Sequence, residues 1–347
     1  MTSLERVLTA IGQQEGDRVP YFLLLTMHGA KELGMSIEEY FSKAENVCKG
    51  QVKLREKYGH DCYYSFFYAP VEVEAFGGEV VYSEDGPPNS GTPVVTRDNI
   101  SSLTAPDVTT SKPLQKVFEA TRMLKEQAGD EVPIIGVVMS PFSLPVMQMG
   151  FENYLDLIYN EREKFEQLMK VNEEFCVNWA NAQLEAGATA ICYFDPVSST
   201  TIIPRDLYLE TGYEVAKRTI GQIKGPTATH FASGKMLPIM GDVAQTGTAV
   251  VGVSTFEDLT ELKTAADKKL TLLGNLNAIE MRRWSPEETE AYVKEAIRKG
   301  AKGGGFILAE NHGEIPFQIE EETLLAIRDA VQKWGQYPLD WIDEEDA

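Results

Sequence analysis

Short runs of apolar and β-branched residues recur along the chain. Between them lie longer stretches in which apolar positions return every three or four residues. The short runs are Val19–Thr26, Cys62–Tyr68, Pro133–Met139, Thr189–Phe194, Thr227–Phe231, Ala249–Ser254, Leu270–Leu273 and Gly305–Ala309. Strands buried on both faces of a parallel sheet have this near-continuous hydrophobicity. The longer stretches are clearest at Ile37–Tyr58, Pro113–Gln127, Phe151–Glu185, Pro204–Ile223 and Pro286–Lys299, and they carry amphipathic-helix spacing. Eight strands alternating with helices predict an α/β chain folded as a single (β/α)8 TIM barrel, with residues 1–347 as one domain. No GxGxxG follows an early strand, which disfavours an open, doubly wound sheet. The Gly- and Pro-containing segment Val71–Thr104 breaks the rhythm and predicts a β-hairpin insertion after the second strand. Gly303-Gly304-Gly305 precedes a strand, so it falls at the barrel's bottom face and predicts a tight turn rather than a phosphate loop.

Composition narrows the function. With 347 residues and 43% hydrophobic content, the chain has ample material for a buried core. The N-terminal stretch lacks the basic start and apolar run of a signal peptide. No apolar segment approaches the roughly 20 residues that cross a bilayer. A cytoplasmic protein with no membrane partner is therefore expected. A formal net charge of -21 argues against nucleic acid, whose phosphates would be repelled, and disfavours a strongly anionic substrate unless a local Arg/Lys cluster overrides the field. Cys48, Cys62, Cys176 and Cys192 form no CxxC pair, and Cys62 and Cys192 read as small buried hydrophobes. The acidic tail, Asp340 to Ala347, reads as frayed chain.

In a barrel of this kind the chemistry gathers at the C-terminal ends of strands. His28 follows the first strand, and an aromatic cluster containing Phe66 and Tyr68 ends the second. Met139 ends the third, Asp195 follows the fourth, His230 falls at the fifth and Asn275 follows the seventh, while Glu310 and His312 follow the eighth. Three of the four histidines thus stand at predicted strand ends, with Asp195 and Glu310 in the same ring. That grouping points to a metal or acid–base site. His60 is the exception and reads as a turn residue. Part of the aromatic and Met lining would pack against helices, and the rest would form a flat apolar pocket for a ring-shaped ligand. His28, Phe66, Tyr68, Met139 and Asn275 are the candidate substrate-binding residues.

Over nearly its full length the chain resembles the uroporphyrinogen decarboxylase superfamily. The resemblance rests on GDRVP, VEVEAFGGEVVY, FDPVSSTTIIPRDLY, GPTATH, GNLNAIE and NHGEIP, in that order and spacing. True decarboxylases of the superfamily carry an Arg-rich motif after the first strand, where this chain reads LLLTMHGA. They carry an aspartate after the second strand, where this chain reads YYSFFYAP. The resemblance therefore favours the other large branch, the zinc-using methylcobamide-dependent methyltransferases. In its thiol-methylating members the fifth strand ends in His-x-Cys and the eighth leads to Cys-Gly. Here those places read His230-Phe231-Ala232 and His312-Gly313. Replacing thiolates by His and carboxylate leaves zinc a stronger Lewis acid, suited to pulling on a substrate oxygen. Ether-cleaving members are similar in that respect, with two acids followed by a histidine. Asp195, Glu210 and His230 stand 15 and 20 positions apart, close to that pattern.

The resemblance implies a methyltransferase that demethylates a small methyl donor, an aryl methyl ether being the leading class, and passes the methyl group to a corrinoid protein. His230, Asp195, Glu210 and His312 would hold Zn2+, with Glu310 a further candidate ligand, and His230 and His312 would be catalytic. Cobalamin would come docked on the partner. Two alternatives stand beside this: a tetrapyrrole decarboxylase with rearranged contacts, and a non-catalytic corrinoid- or tetrapyrrole-binding protein.

Overall fold

The computed structural model describes residues 1–345. Seven parallel strands form one curled sheet in chain order: β1 (Tyr63–Tyr64), β2 (Ile134–Met139), β3 (Ala190–Phe194), β4 (Thr227–His230), β5 (Val250–Gly252), β6 (Thr271–Leu276) and β7 (Phe306–Glu310). The extended segment at Val19–Leu25 lies between the sheet's two edges. Tyr21 bridges Leu308 of β7 in parallel. On the other side the Asp61 N–H donates to the Tyr21 carbonyl at 2.9 Å. The first expected strand is thus an extended stretch with a single bridge. The sheet is that of a TIM-type fold, with helices packed on its outer face.

Several expected helices are broken, for local reasons. Ile37–Tyr58 divides into Ile37–Ser42 and Ala44–Tyr58. The Ser42 hydroxyl and the Asn46 amide both donate to the Glu39 carbonyl, at 2.7 and 2.9 Å, and offer the backbone an alternative to continuing the helix. Pro204–Ile223 divides at Thr211, whose hydroxyl donates to the Leu207 carbonyl. Phe151–Glu185 divides at Glu161. By contrast, Pro286–Gly300 runs unbroken from a capping box of Ser285 and Glu288.

The Val71–Thr104 excursion differs from the expected hairpin. It opens with a helix, Val71–Ala75, and its antiparallel ladder is confined to Val80–Val81 against Asn89–Ser90. Pro87 and Pro88 have no N–H to donate, so the ladder cannot run back past Asn89. The tail, expected to be frayed, is helical over Asp340–Glu345, with Ile342 buried in the core. The last part of that tail, 346–347, lies outside the described residues. His60 lies in the connection after the helix Ala44–Tyr58 and is buried, and burial pushes its imidazole down to about 3. All four cysteines are buried and unpaired, as small hydrophobes would be.

Two buried carboxyls organise the interior. Asp61, fully buried, accepts hydrogen bonds from Ser3 Oγ (2.9 Å), Arg6 Nη1 (2.7 Å), Arg18 Nη1 (2.7 Å) and the Tyr21 N–H (3.0 Å). This node ties the helix Ser3–Ile11 beneath the sheet to the first extended segment and to the start of β1. Glu72 accepts from the Met139 N–H at 2.8 Å and from Trp179 Nε1 at 3.1 Å, both on Oε1, while Oε2 has no partner. Burial pushes the Glu72 carboxyl up to about 8, although both donors pull the other way.

Asp61→Ala leaves two arginines facing a buried gap, and chemical denaturation should register a loss of about 3–5 kcal/mol. A loss under about 1 kcal/mol would remove the node from its place in the fold. Because the Glu72 pKa is higher folded than unfolded, its stabilisation is present in full below the ordinary value of 4.5 and is lost as pH rises through about 8. The slope from this one group reaches at most about 1.4 kcal/mol per pH unit. Glu72→Gln should flatten the stability curve between those values, and an unchanged curve would refute the assignment.

Candidate functional site

Alternate residues of each strand point inward, as the two-residue period of extended chain dictates. Phe22 and Leu24, Tyr64 and Phe66, and Ile135, Val137 and Met139 line a central cavity of about 420 Å³. Cys192, Phe194, Ala228, His230, Val250, Leu273, Ile307 and Ala309 complete its wall. Leu4, Val7, Leu8 and Ile11 of the helix Ser3–Ile11 form its floor. At the mouth stand Glu310, His312, Gly313 and Glu314.

The mouth is built by the turn after β7. The Glu310 carboxylate accepts from the N–H groups of His312 and Gly313, the latter at 2.9 Å, so the chain wraps around its own side chain. Burial nevertheless pushes Glu310 up to about 7, with the two N–H donors opposing. Thr26 Oγ1 donates to Glu314. Burial, and then the neighbouring charge of Glu310, push Glu314 up to about 8. Two carboxyls thus titrate near neutrality at one end of an apolar chamber. Gly313 has φ +90°, and a Cβ there would lie 2.5 Å from the Phe194 ring. Only glycine allows the turn to close over Phe194.

The two mouth histidines differ. His230 stacks on Phe194 with ring centroids 5.5 Å apart, and its Nδ1 accepts the Ala232 N–H at 2.9 Å. A neutral ring with Nδ1 so engaged carries its proton on Nε2 and offers a donor to the cavity. Burial, with the His312 charge second, pushes His230 down to about 4. His312 is half-buried and its Nδ1 lies 2.7 Å from Asn311 Oδ1. The amide oxygen can only accept, so Nδ1 donates and Nε2 keeps its lone pair. Burial lowers this imidazole too.

Of the residues singled out from the sequence, the structure brings His230, His312, Glu310, Phe66 and Met139 to one cavity. The others lie elsewhere. Asp195 is buried behind the wall, where Ser140 Oγ (2.5 Å) and Ser143 Oγ (2.7 Å) donate to its Oδ1. Glu210 is exposed in a groove of the helix layer with Arg162, Glu173 and Arg218. His28 is buried against Phe317, with its imidazole pushed by burial to about 3. Tyr68 donates to Glu74 Oε2 at 2.8 Å within an aromatic packing cluster. Asn275 donates to the Ser254 carbonyl at 3.1 Å beside a separate surface pocket.

The four donors that the resemblance implies for zinc therefore do not converge. Among the described residues no group of three or more His, Cys, Asp or Glu side chains is placed to hold a metal ion. Sequence reasoning passed over Glu314, although NHGEIP contains it. The signal available was an acid in the turn directly after a strand that ends in another acid.

The profile of a family described as Uroporphyrinogen decarboxylase (URO-D) matches residues 2–334. Methylcobamide:CoM methyltransferase MtaA of Methanosarcina barkeri is 25% identical over 334 residues, covering 93% of this chain and 96% of the relative. The uroporphyrinogen decarboxylase of Pseudoalteromonas atlantica is 22% identical over 360 residues, covering 95% and 97%. Among solved structures, a methyltransferase from Methanosarcina mazei superposes with a TM-score of 0.87 at 22% identity, covering 96% of this chain and 99% of that one. That likeness establishes the fold.

The coupling of the two mouth carboxyls is testable. In Glu310→Gln the neighbouring charge is gone, so the Glu314 carboxyl should titrate below about 8 when followed by carboxyl ¹³C NMR. An unmoved titration would show that the two groups do not sense one another.

Proposed function

We propose that this chain, which belongs to the uroporphyrinogen decarboxylase (URO-D) family, is a methyltransferase that takes the methyl group of a small donor and delivers it to a corrinoid protein. The observation that carries this reading is the pairing of an apolar cavity, lined without a single Lys or Arg, with two protonatable carboxyls at its mouth. A polycarboxylated tetrapyrrole would bring many negative charges into that cavity with no cation to meet them. Near-full-length relatives include a methylcobamide methyltransferase as well as decarboxylases, so the choice between them rests on the cavity lining.

Within this reading an aryl methyl ether is the donor class the cavity suits best. Its ring would lie between Phe66, Met139 and Phe194, with the ether oxygen toward the mouth. The corrinoid, presented by its own protein, supplies the nucleophile that accepts the methyl group. Breaking the methyl–oxygen bond leaves the electron pair on a phenolate, whose conjugate acid has a pKa near 10. Glu314, held protonated up to about pH 8, can donate its proton to that oxygen as the bond breaks. Glu310 holds the turn that positions Glu314, and His230 can donate from Nε2 toward the same region. The zinc implied by the resemblance has no converging donor set here, so no step is assigned to it.

The test is methyl transfer from methoxyarenes to reduced corrinoid, followed by absorbance. Wild-type rates should fall as pH rises through about 8, when Glu314 loses its proton. Glu314→Gln should lower kcat by about 10²–10⁴-fold, with little change in ligand binding. A wild-type rate in that variant would remove Glu314 as the proton donor. Absence of transfer from any methoxyarene would remove the donor class.

A further inference from the structure

The cavity does not stop at the mouth. Ile135, Val137 and Met139 of β2 all face it, and the span from the first to the last is four residue rises, about 13 Å. Below Ile135 the lining continues through Pro133, Thr189 and Pro226 to Leu4 and Leu8 of the floor helix. Barrel interiors of this class are ordinarily filled by layers of bulky side chains. Here the lining includes Ala190, Cys192, Ala228, Ala249 and Ala309, which are too small to meet across the axis. The resulting volume, about 420 Å³, lies within the roughly 300–1,000 Å³ of small-molecule sites. Every ionisable group other than Tyr64 and Cys192 stands at one end, and burial pushes the Cys192 thiol up to about 12, which keeps it neutral.

We infer that the axial cavity is a binding site for the uncharged, elongated apolar body of the methyl donor, which runs from the mouth toward the helix Ser3–Ile11. The inference rests on the methyltransferase reading for the ligand's role as donor and for its methoxy group. The site itself follows from the lining. An anionic ring substituent would have to lie among Val137, Cys192, Ala228, Val250 and Ile307, with neither a cation nor an N–H donor to receive it. A neutral alkyl or aryl substituent instead gains burial with each added carbon. The substrate class that follows is a methoxyarene with an apolar substituent opposite the ether, not a methoxybenzoate or a methylamine.

The test uses the full chain and calorimetric binding of anisole, 4-ethylanisole, 4-butylanisole and 4-methoxybenzoate. Each added methylene should tighten binding about threefold to fourfold. The carboxylate should bind at least about tenfold more weakly than 4-ethylanisole. Equal binding of the carboxylate, or no gain along the alkyl series, would overturn the inference. Ala228→Phe fills the axis midway and should abolish the gain from the longer chain while anisole still binds. If that variant does not fold, Ala228→Ile should reduce the gain in the same direction, and an unchanged series in a folded variant counts against the inference. Methyl transfer is scored separately. Tight binding of 4-butylanisole without transfer keeps the axial site and removes the methoxyarene as the methyl donor. Transfer from 4-methoxybenzoate with a kcat/KM equal to that of 4-butylanisole keeps the methyltransferase reading and removes the axial site.

Discussion

Asp61 has no access to water, and an ionised carboxylate in such a place must find its solvation in the protein. It finds it in two arginines, a serine hydroxyl and a backbone N–H drawn from two separate stretches of the first 21 residues. Meeting that requirement fixes the rest of the floor. The helix Ser3–Ile11 is drawn under the sheet, and Arg6 is oriented so that Asp17 can take its other face at 2.6 Å. The extended chain at Tyr21 is held against β7 and the Asp61 N–H. Because Val7 and Ile11 share that helix, the same carboxylate sets where the cavity ends. A charge at the bottom of the molecule thereby controls the depth of an apolar chamber that opens at the top.

The strands were legible because burial on both faces leaves an uninterrupted apolar signature, and β2 and β3 match their expected positions within a residue or two. The signature failed where packing and pairing part company. Ser65–Tyr68 is as apolar and aromatic as a strand, yet β1 ends at Tyr64, and Phe67 and Tyr68 turn into the aromatic cluster around Phe41 while Phe66 faces the cavity. The helix breaks at Lys43 and Thr211 were not legible from periodicity. They arise from single hydroxyl and amide contacts to nearby carbonyls, and the apolar period continues across them.

The site divides along the same line. His230 and Met139 could be placed from strand ends alone, because inward direction follows from register, and Phe66 continues the inward alternation two residues past the end of β1. Asp195 and Glu210 satisfied a spacing, but spacing does not report which way a side chain turns. Ser140 and Ser143 claim the first, and the second faces solvent. Glu314 needed the third dimension, since its raised pKa comes first from burial and then from closeness to Glu310, and its Thr26 partner lies 288 residues away in the chain.

The stacking of Phe194 on His230 has a spectroscopic consequence. The rings are close enough for each to feel the other's ring current, so the His230 ring protons should resonate away from their ordinary positions. His28, His60 and His230 are all pushed to about 4 or below, so their signals stay fixed across the working range. His312 is the half-buried histidine at the mouth. With four histidines in the chain, the imidazole spectrum becomes a compact gauge of the chamber. Any molecule that shifts Phe194 on entry moves the His230 signals, and one that only approaches the mouth moves those of His312.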